Sequence, residues 1–417
     1  MAALITVAAG KEARAEFEDG DVVKFNLGAG VAYDDNVFRL PSTITPAQEE
    51  GLRRTGSTAR GDTIFTLSAG AAVNKDISRQ NIQLGANINQ LLYTEHTEFD
   101  TTLVNLGATW NWRVGNQLSG AVGYKQNQYP SQFLNTQAFT PNKRTVAIPF
   151  ASIGYQFHPS WEVRAGYQYV DISNSAATFK LADLQQSEYE GAMRYRTQFG
   201  NLVDLFYRFT DGKRPNVEQV AVVVDPVLQR PGQFEQNDLG LRVERWELSG
   251  RSRFEGFLAY TNRSYEQFAN RDYSGPTFNL NYIYLPTGNT SISLAVYRLI
   301  GAFTDVTANY IVTTGVTLAP TWQATSKLAF GMTAFYQDRD YQGRPAIETA
   351  LLAQEEQRND DLYSVGVNAT YAILRTLKGT LYYTWTKRDS NVRDPGTNIA
   401  IRDFRSNTVG VGIDWAF

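Results

Sequence analysis

The feature that most limits what this chain can fold into is a period of two. Segments of about ten to thirteen residues alternate apolar with small or polar side chains, and they recur along its whole length. In "KFNLGAGVAY", Phe25, Leu27, Ala29, Val31 and Tyr33 share one side, and Lys24, Asn26, Gly28, Gly30 and Ala32 the other. In "NIQLGANINQL", Ile82, Leu84, Ala86 and Ile88 oppose Asn81, Gln83, Gly85, Asn87 and Asn89. "WEVRAGYQY" sets Trp161, Val163, Ala165, Tyr167 and Tyr169 against Glu162, Arg164, Gly166 and Gln168. "KGTLYYTWTK" sets Leu381, Tyr383 and Trp385 against Lys378, Thr380, Tyr382, Thr384 and Thr386. Strands of soluble sandwiches average five or six residues, whereas tilted strands of about ten cross a bilayer.

The connections carry a second rhythm, alternating long and short. Long ones fall near residues 35–60, 94–98, 130–143, 174–186, 212–234, 265–275, 302–307, 341–359 and 389–402. Short ones lie between them, at "NKDIS", "RVGNQ", "HPS", "GN", "LSGRS", "PTGN", "APTWQATS" and "ILRTL". About nine long loops and eight short turns make about eighteen strands. That is an all-β, antiparallel, up-and-down transmembrane barrel with short periplasmic turns and long extracellular loops. "VAVVVD" at Val220 reads as a strand inside a long loop, so a count of sixteen stays open. "TPAQEEGLRR" at Thr45 and "AIETALLAQEEQR" at Ala346 read as short helices within loops. In "TVAIPFASIGYQF" the apolar side switches near Phe150, after Pro149, which predicts a bulge or edge-like irregularity.

Composition agrees with a barrel. The chain holds 23 Tyr, 23 Phe and 7 Trp among 417 residues, yet its mean hydropathy is −0.35. Half of each strand would face water and half lipid, and closure would pair every backbone group inside the hydrocarbon. No stretch reaches the roughly 18 apolar residues of a membrane helix. Trp161 and Trp385 are candidates for the interfacial girdles. With no cysteine, disulfides and Cys-ligated metals are excluded. A net charge of −3 with mixed signs gives no footprint for nucleic acid. Residues 21–417 are expected to form one barrel domain, and 1–20 either a clipped signal peptide, with Ala13-Arg14-Ala15 as its cleavage signal, or an N-terminal arm.

Candidates for chemistry are few. His96 and His158 are the two histidines, placed in an outer loop and a periplasmic turn, and neither supports a Ser–His pair. "YDDN" (Asp34, Asp35) and "RNDDLY" (Asp360, Asp361) offer oxygen ligands without a defined metal-loop spacing. No catalytic residue, metal site or cofactor is assigned. By alternation Glu162, Arg164, Glu190, Arg194, Arg196, Asp204, Arg208, Arg242 and Glu244 point inward. They are expected to form a cross-strand charge ladder that braces the wall and lines a polar track for a hydrated solute. Phe206, Trp246, Phe257 and Tyr382 are expected to face inward as well, as packing or as platforms for sugar rings.

Several segments together resemble the EpsL-type outer-membrane proteins of exopolysaccharide biosynthesis clusters, within the broader β-barrel porin group. They are "AYDDNVFRLP", "GDTIFTLSAG", "SRQNIQLGANINQLLY", "ATWNWRVGNQLSG" and "PSWEVRAGYQY". The resemblance covers about the first 170 residues and implies a role in moving an exopolysaccharide across the outer membrane, alongside other polysaccharide-export components. It carries over no catalytic residue. A sugar-uptake or general porin is the alternative, and a barrel enzyme acting on lipid or glycan a second one. The segment "GVGIDWAF" places Val411, Ile413, Trp415 and Phe417 on the side of a strand that faces outer-membrane lipid. These four resemble the signal read by the barrel-assembly machinery, and the strand is expected to pair with the one around Phe25 to Tyr33.

Overall fold

The computed structural model describes residues 22–130, 139–216, 232–265, 272–302, 308, 310–342, 357–393 and 400–417. Among them are eighteen strands. The first nine are β1 (Val23–Asp34), β2 (Asp62–Ile77), β3 (Gln80–Tyr93), β4 (Thr101–Val114), β5 (Leu118–Tyr129), β6 (Arg144–His158), β7 (Trp161–Asn174), β8 (Leu184–Arg196) and β9 (Leu202–Lys213). The rest are β10 (Gln233–Ser249), β11 (Ser252–Ser264), β12 (Tyr273–Thr287), β13 (Thr290–Ala302), β14 (Tyr310–Gln323), β15 (Leu328–Gln342), β16 (Asn359–Ala372), β17 (Leu377–Ser390) and β18 (Phe404–Ala416). Each pairs antiparallel with its neighbours in sequence, and β1 pairs with both β2 and β18, so the sheet closes.

The strands run from 12 to 17 residues, longer than the alternation alone marks out. At about 3.3 Å per residue a strand such as the 14-residue β4 is roughly 46 Å long, more than a tilted crossing needs. The surplus arises because hairpin pairing continues beyond the apolar band. The same effect shortens the turns. "NKDIS" lies almost wholly in β2, leaving Ser78 and Arg79 as the turn, and β14 runs through "APTWQ" to Gln323.

The outward side is as the period predicts. Leu27, Leu67, Ile88, Trp110, Val163, Leu205, Leu241, Leu258 and Val411 stand exposed where hydrocarbon sits. Trp110, Trp161, Trp322 and Trp415 lie near the short-turn ends. Near the long-loop ends outward tyrosines bond a polar group on the next strand. Tyr383 Oη donates to Asn407 Oδ1 at 2.7 Å and Tyr336 Oη to Asp361 Oδ1 at 2.7 Å. Such side chains keep an apolar body in lipid and a polar tip in the headgroups.

Two expectations about faces are corrected. β5 and β6 pair in one unbroken register through Phe150, so no bulge lies there, although pairing with β7 skips Ile148 and Pro149; a register shift on that edge of β6 falls between Gln156 and His158. Val146 and Ile148 are apolar on the inward side because they join a buried cluster at the outer strand ends, with Val170, Ile172, Leu184, Phe234, Tyr265 and Tyr273. A bulge does occur in β10, between Val243 and Trp246. It puts Trp246 opposite Phe254, on the lipid side, not in the lumen. The expected helix at Thr45 is α1 (Pro46–Arg54), closed by a full capping box of Thr45 and Gln48. The segments at Val220 and Ala346 and residues 1–21 lie outside the described residues.

Candidate functional site

The inner wall of β7–β10 gathers the predicted charges. Register alone orders them. Glu162, Arg194, Asp204 and Arg242 stand opposite one another in sequence across the four strands, with alternating sign. Four residues higher, beyond Ala192, Phe206 and Gly240, Glu190, Arg208 and Asp238 repeat the pattern. Because side chains project to the same face every second residue, this spacing brings opposite charges into contact.

The contacts are dense. Arg194 clamps Asp204 through Nε at 2.7 Å and Nη2 at 2.9 Å, and also reaches Glu244. Arg242 makes a second fork onto Glu190, at 2.8 and 2.7 Å, and Arg208 adds Nη2 to the same carboxylate at 2.8 Å. Arg164 donates to Glu244 at 3.1 Å and lies 3.5 Å from Glu162. Arg242 and Arg164 also approach Asp204, at 3.7 and 3.9 Å. Four arginines and four carboxylates thus form one connected, electrically neutral ladder. Forked geometry of this kind is the strong form of a charged hydrogen bond.

Of the nine predicted residues, eight are brought together and one is not. Arg196 shares the inward side of β8 but is exposed next to a periplasmic turn, outside the ladder. Asp238 was missed. It is buried opposite Arg208, and its Oδ1 accepts a bond from Thr261 at 2.5 Å. Its place at an even spacing from Arg242 was the available signal. Phe206 is 2% exposed and lies beneath the Arg242 and Arg208 guanidiniums, 4.5 and 5.5 Å from its ring centre. It is packing for the ladder, not an open platform for a sugar.

A second polar tract lines β2–β4. Asn81 Nδ2 donates to Asn74 Oδ1 at 2.8 Å, while Asn81 Oδ1 accepts from Gln83 at 2.9 Å and Asn111 at 3.3 Å. Inward residues in the periplasmic half of the strands are mixed: Glu162, Arg164, Asn81 and Asn368 are partly or fully exposed, whereas Lys24, Arg194, Asp204 and Phe206 are buried. In the outer half they are buried, for example Ile172, Thr261, Gln337, Leu362 and Arg388. Among the described residues the interior is therefore wet in part below and packed above.

The remaining candidates are engaged structurally. Asp34 accepts a fork from Arg39 at 2.8 Å on each oxygen, and Asp35 holds Asn407. Asp360 accepts from Tyr341 at 2.9 Å and from Arg358. His158 is exposed, its Nδ1 accepting from the Ser160 amide at 3.1 Å. His96 is 0% exposed, which no sequence pattern indicated.

The family profile described as "Putative beta-barrel porin 2" matches residues 164–417, more than half of the chain. The chain belongs to this porin family. As a porin with a closed barrel it resides in the bacterial outer membrane. No curated protein matches it in sequence. Among solved structures, OccK2 (OpdF) of Pseudomonas aeruginosa is similar in fold, with a TM-score of 0.50 at 9% identity over 95% of this porin and 98% of that chain. OccK3 (OpdO) of the same organism gives a TM-score of 0.49 at 11% identity, over 95% and 96%.

Proposed function

We propose that this porin admits small, hydrated, polar solutes across the outer membrane as an uptake channel. The observation that carries the reading is the interior itself. Its largest group of wall charges is self-neutralised in the ladder and the tract on β2–β4 is lined by carboxamides, so a solute on those walls meets hydrogen-bonding partners without a strong field of either sign. The packed outer half leaves less room for a polymer than for a small solute. The test is swelling of proteoliposomes in a graded series of neutral sugars. Swelling with monosaccharides that falls off sharply with size is expected. No swelling by any solute, with the barrel inserted, would refute uptake.

Export of an exopolysaccharide is the second reading, with the polymer and other export components as partners. It is favoured by the motifs between Ala32 and Tyr169 that resemble EpsL-type proteins, most of them ahead of the matched residues. Deleting the gene and measuring extracellular polysaccharide tests it; normal secretion would rule it out. We further infer that Val411, Ile413, Trp415 and Phe417 are what the barrel-assembly machinery reads. The supporting observation is that Phe417 and Phe25 exchange both backbone bonds, at 2.8 and 3.0 Å, as a rung of the closing seam.

A further inference from the structure

We propose that loop 1 (residues 35–61) is the size-selecting constriction of the solute path, and that His96 is the residue that positions it. The inference rests on the porin reading above.

Loop 1 is a folded unit rather than a tether. Its helix α1 carries a capping box and two ion pairs one turn apart, Glu49–Arg53 at 2.7 Å and Glu50–Arg54 at 3.3 Å. Beneath it Val37, Phe38, Leu40 and Leu52 are buried together with Phe99, and Ile44, Tyr93 and Phe139 pack against them. That core identifies the side of the wall on which the loop lies. On β3, Tyr93 shares the parity of Asn81, Gln83, Asn87 and Asn89, the lumen side. Its ring meets Phe99 at 6.3 Å, Phe99 meets Phe38 at 5.4 Å, and Phe38 meets Phe139 at 5.2 Å. The loop's apolar core therefore rests on the inner face of the barrel, and α1 lies over the lumen.

Its contacts extend around the rim. Gln48 Nε2 donates to the Ile401 carbonyl at 3.2 Å, and Asn36 Nδ2 to that of Arg405 at 2.9 Å, beside β18. At the other end the Phe139 ring, beyond β5, covers Gly51 so closely that a Cβ there would enter it. A glycine inside a helix is unfavourable, and this contact accounts for it. Between β18 and the loop after β5 lie five of the eighteen interstrand steps, and loop 1 meets residues from both.

One residue joins the return limb of the strap to the wall. His96 Nε2 donates to the Ala59 carbonyl at 3.0 Å, and Nδ1 lies 3.0 Å from the Thr55 hydroxyl, which itself donates to the Leu52 carbonyl at 2.7 Å. Thr55 is the C-cap of α1, and Ala59 lies in the segment returning to β2. The His96 backbone N–H donates to Asp62 Oδ2 at 2.9 Å, and Asp62 Oδ1 also takes the amides of Thr94 and Glu95, each at 3.0 Å. The Phe38 ring stands edge-on to the imidazole at 4.8 Å.

The experiment uses single-channel recording of the full chain, with residues 43–57 replaced by a short Gly-Ser linker in one variant. Heat-modifiable mobility on gels establishes that each barrel is folded. The shortened loop is expected to raise conductance about twofold and to admit larger sugars, because inward loops set the passage. His96→Leu is expected to flicker between the wild-type and the larger level. His96→Gln, which keeps a donor near Ala59, is expected to restore the steady level. Equal conductance in the wild type and the shortened variant, or silence of both, overturns the constriction. A wild type that swells liposomes normally while shortening changes nothing would sink this inference and leave the porin reading intact. A silent wild type with a conducting variant would support the constriction and count against free uptake.

Discussion

Replacing Asp204 by Asn removes one charge from the ladder and almost no volume. The carboxylate is 0% exposed and touches three guanidiniums, with Arg194 forked onto both oxygens. The amide keeps one acceptor but turns an N–H toward Arg194, so one ionic hydrogen bond is lost and one contact becomes repulsive. Breaking a buried pair costs about 3–5 kcal/mol. Arg164 retains 31% and Arg242 20% side-chain exposure, so lumen water partly compensates them and the low end applies. A loss of about 3 kcal/mol lowers the folded fraction's equilibrium by roughly two decades. Guanidinium unfolding in lipid vesicles, followed by tryptophan fluorescence, reads this directly. The lumen also gains one positive charge, so the reversal potential in a KCl gradient should move toward anions. The pair Asp204→Asn with Arg194→Gln should return it to the wild-type value. A variant with an unchanged unfolding midpoint and an unchanged reversal potential would refute the idea that the ladder braces and neutralises the wall.

Deleting Phe417 removes the reciprocal bonds to Phe25 and a ring contact at 5.9 Å, and should sharply lower the heat-modifiable barrel recovered in outer membranes; normal recovery would count against the assembly signal. Gly256 sits opposite the β10 bulge at φ +145°, where a Cβ would strike the Asn279 carbonyl, so Gly256→Ala should cost about 2–3 kcal/mol in the same unfolding assay. Gly51→Leu should displace Phe139 and loosen loop 1. Trypsin should then cut faster after the exposed Arg53 and Arg54, and an unchanged rate would mean that Phe139 does not anchor the loop.

The barrel was legible because its causes are local. Lipid outside and water inside impose a period of two, and hairpins require turns, so the patterns at Phe25–Tyr33, Ile82–Ile88 and Trp161–Tyr169 mark both faces and strand order. The ladder was legible for the same reason, since Glu162, Arg194, Asp204 and Arg242 need only parity and antiparallel pairing to meet. Arg196 has the same parity, and height along the strand alone separates it from the ladder.

Parity fails where the backbone or distant chain decides. One extra residue in β10 moved Trp246 to the lipid side, and no local pattern announces which residue bulges. The inward side of "TVAIP" is apolar because Leu184, Phe234 and Tyr273, far along the chain, meet it at the outer end. His96 reads as a polar loop residue, yet it is buried because Thr55, Ala59 and Phe38 close around it from another loop. The sequence by itself thus determined a closed outer-membrane barrel, its strand order and the charge ladder on its inner wall, since a bilayer acts on each short segment separately. Only the tertiary structure decided how loop 1 folds inward and where the interior is packed, since those depend on contacts between loops that no single segment encodes.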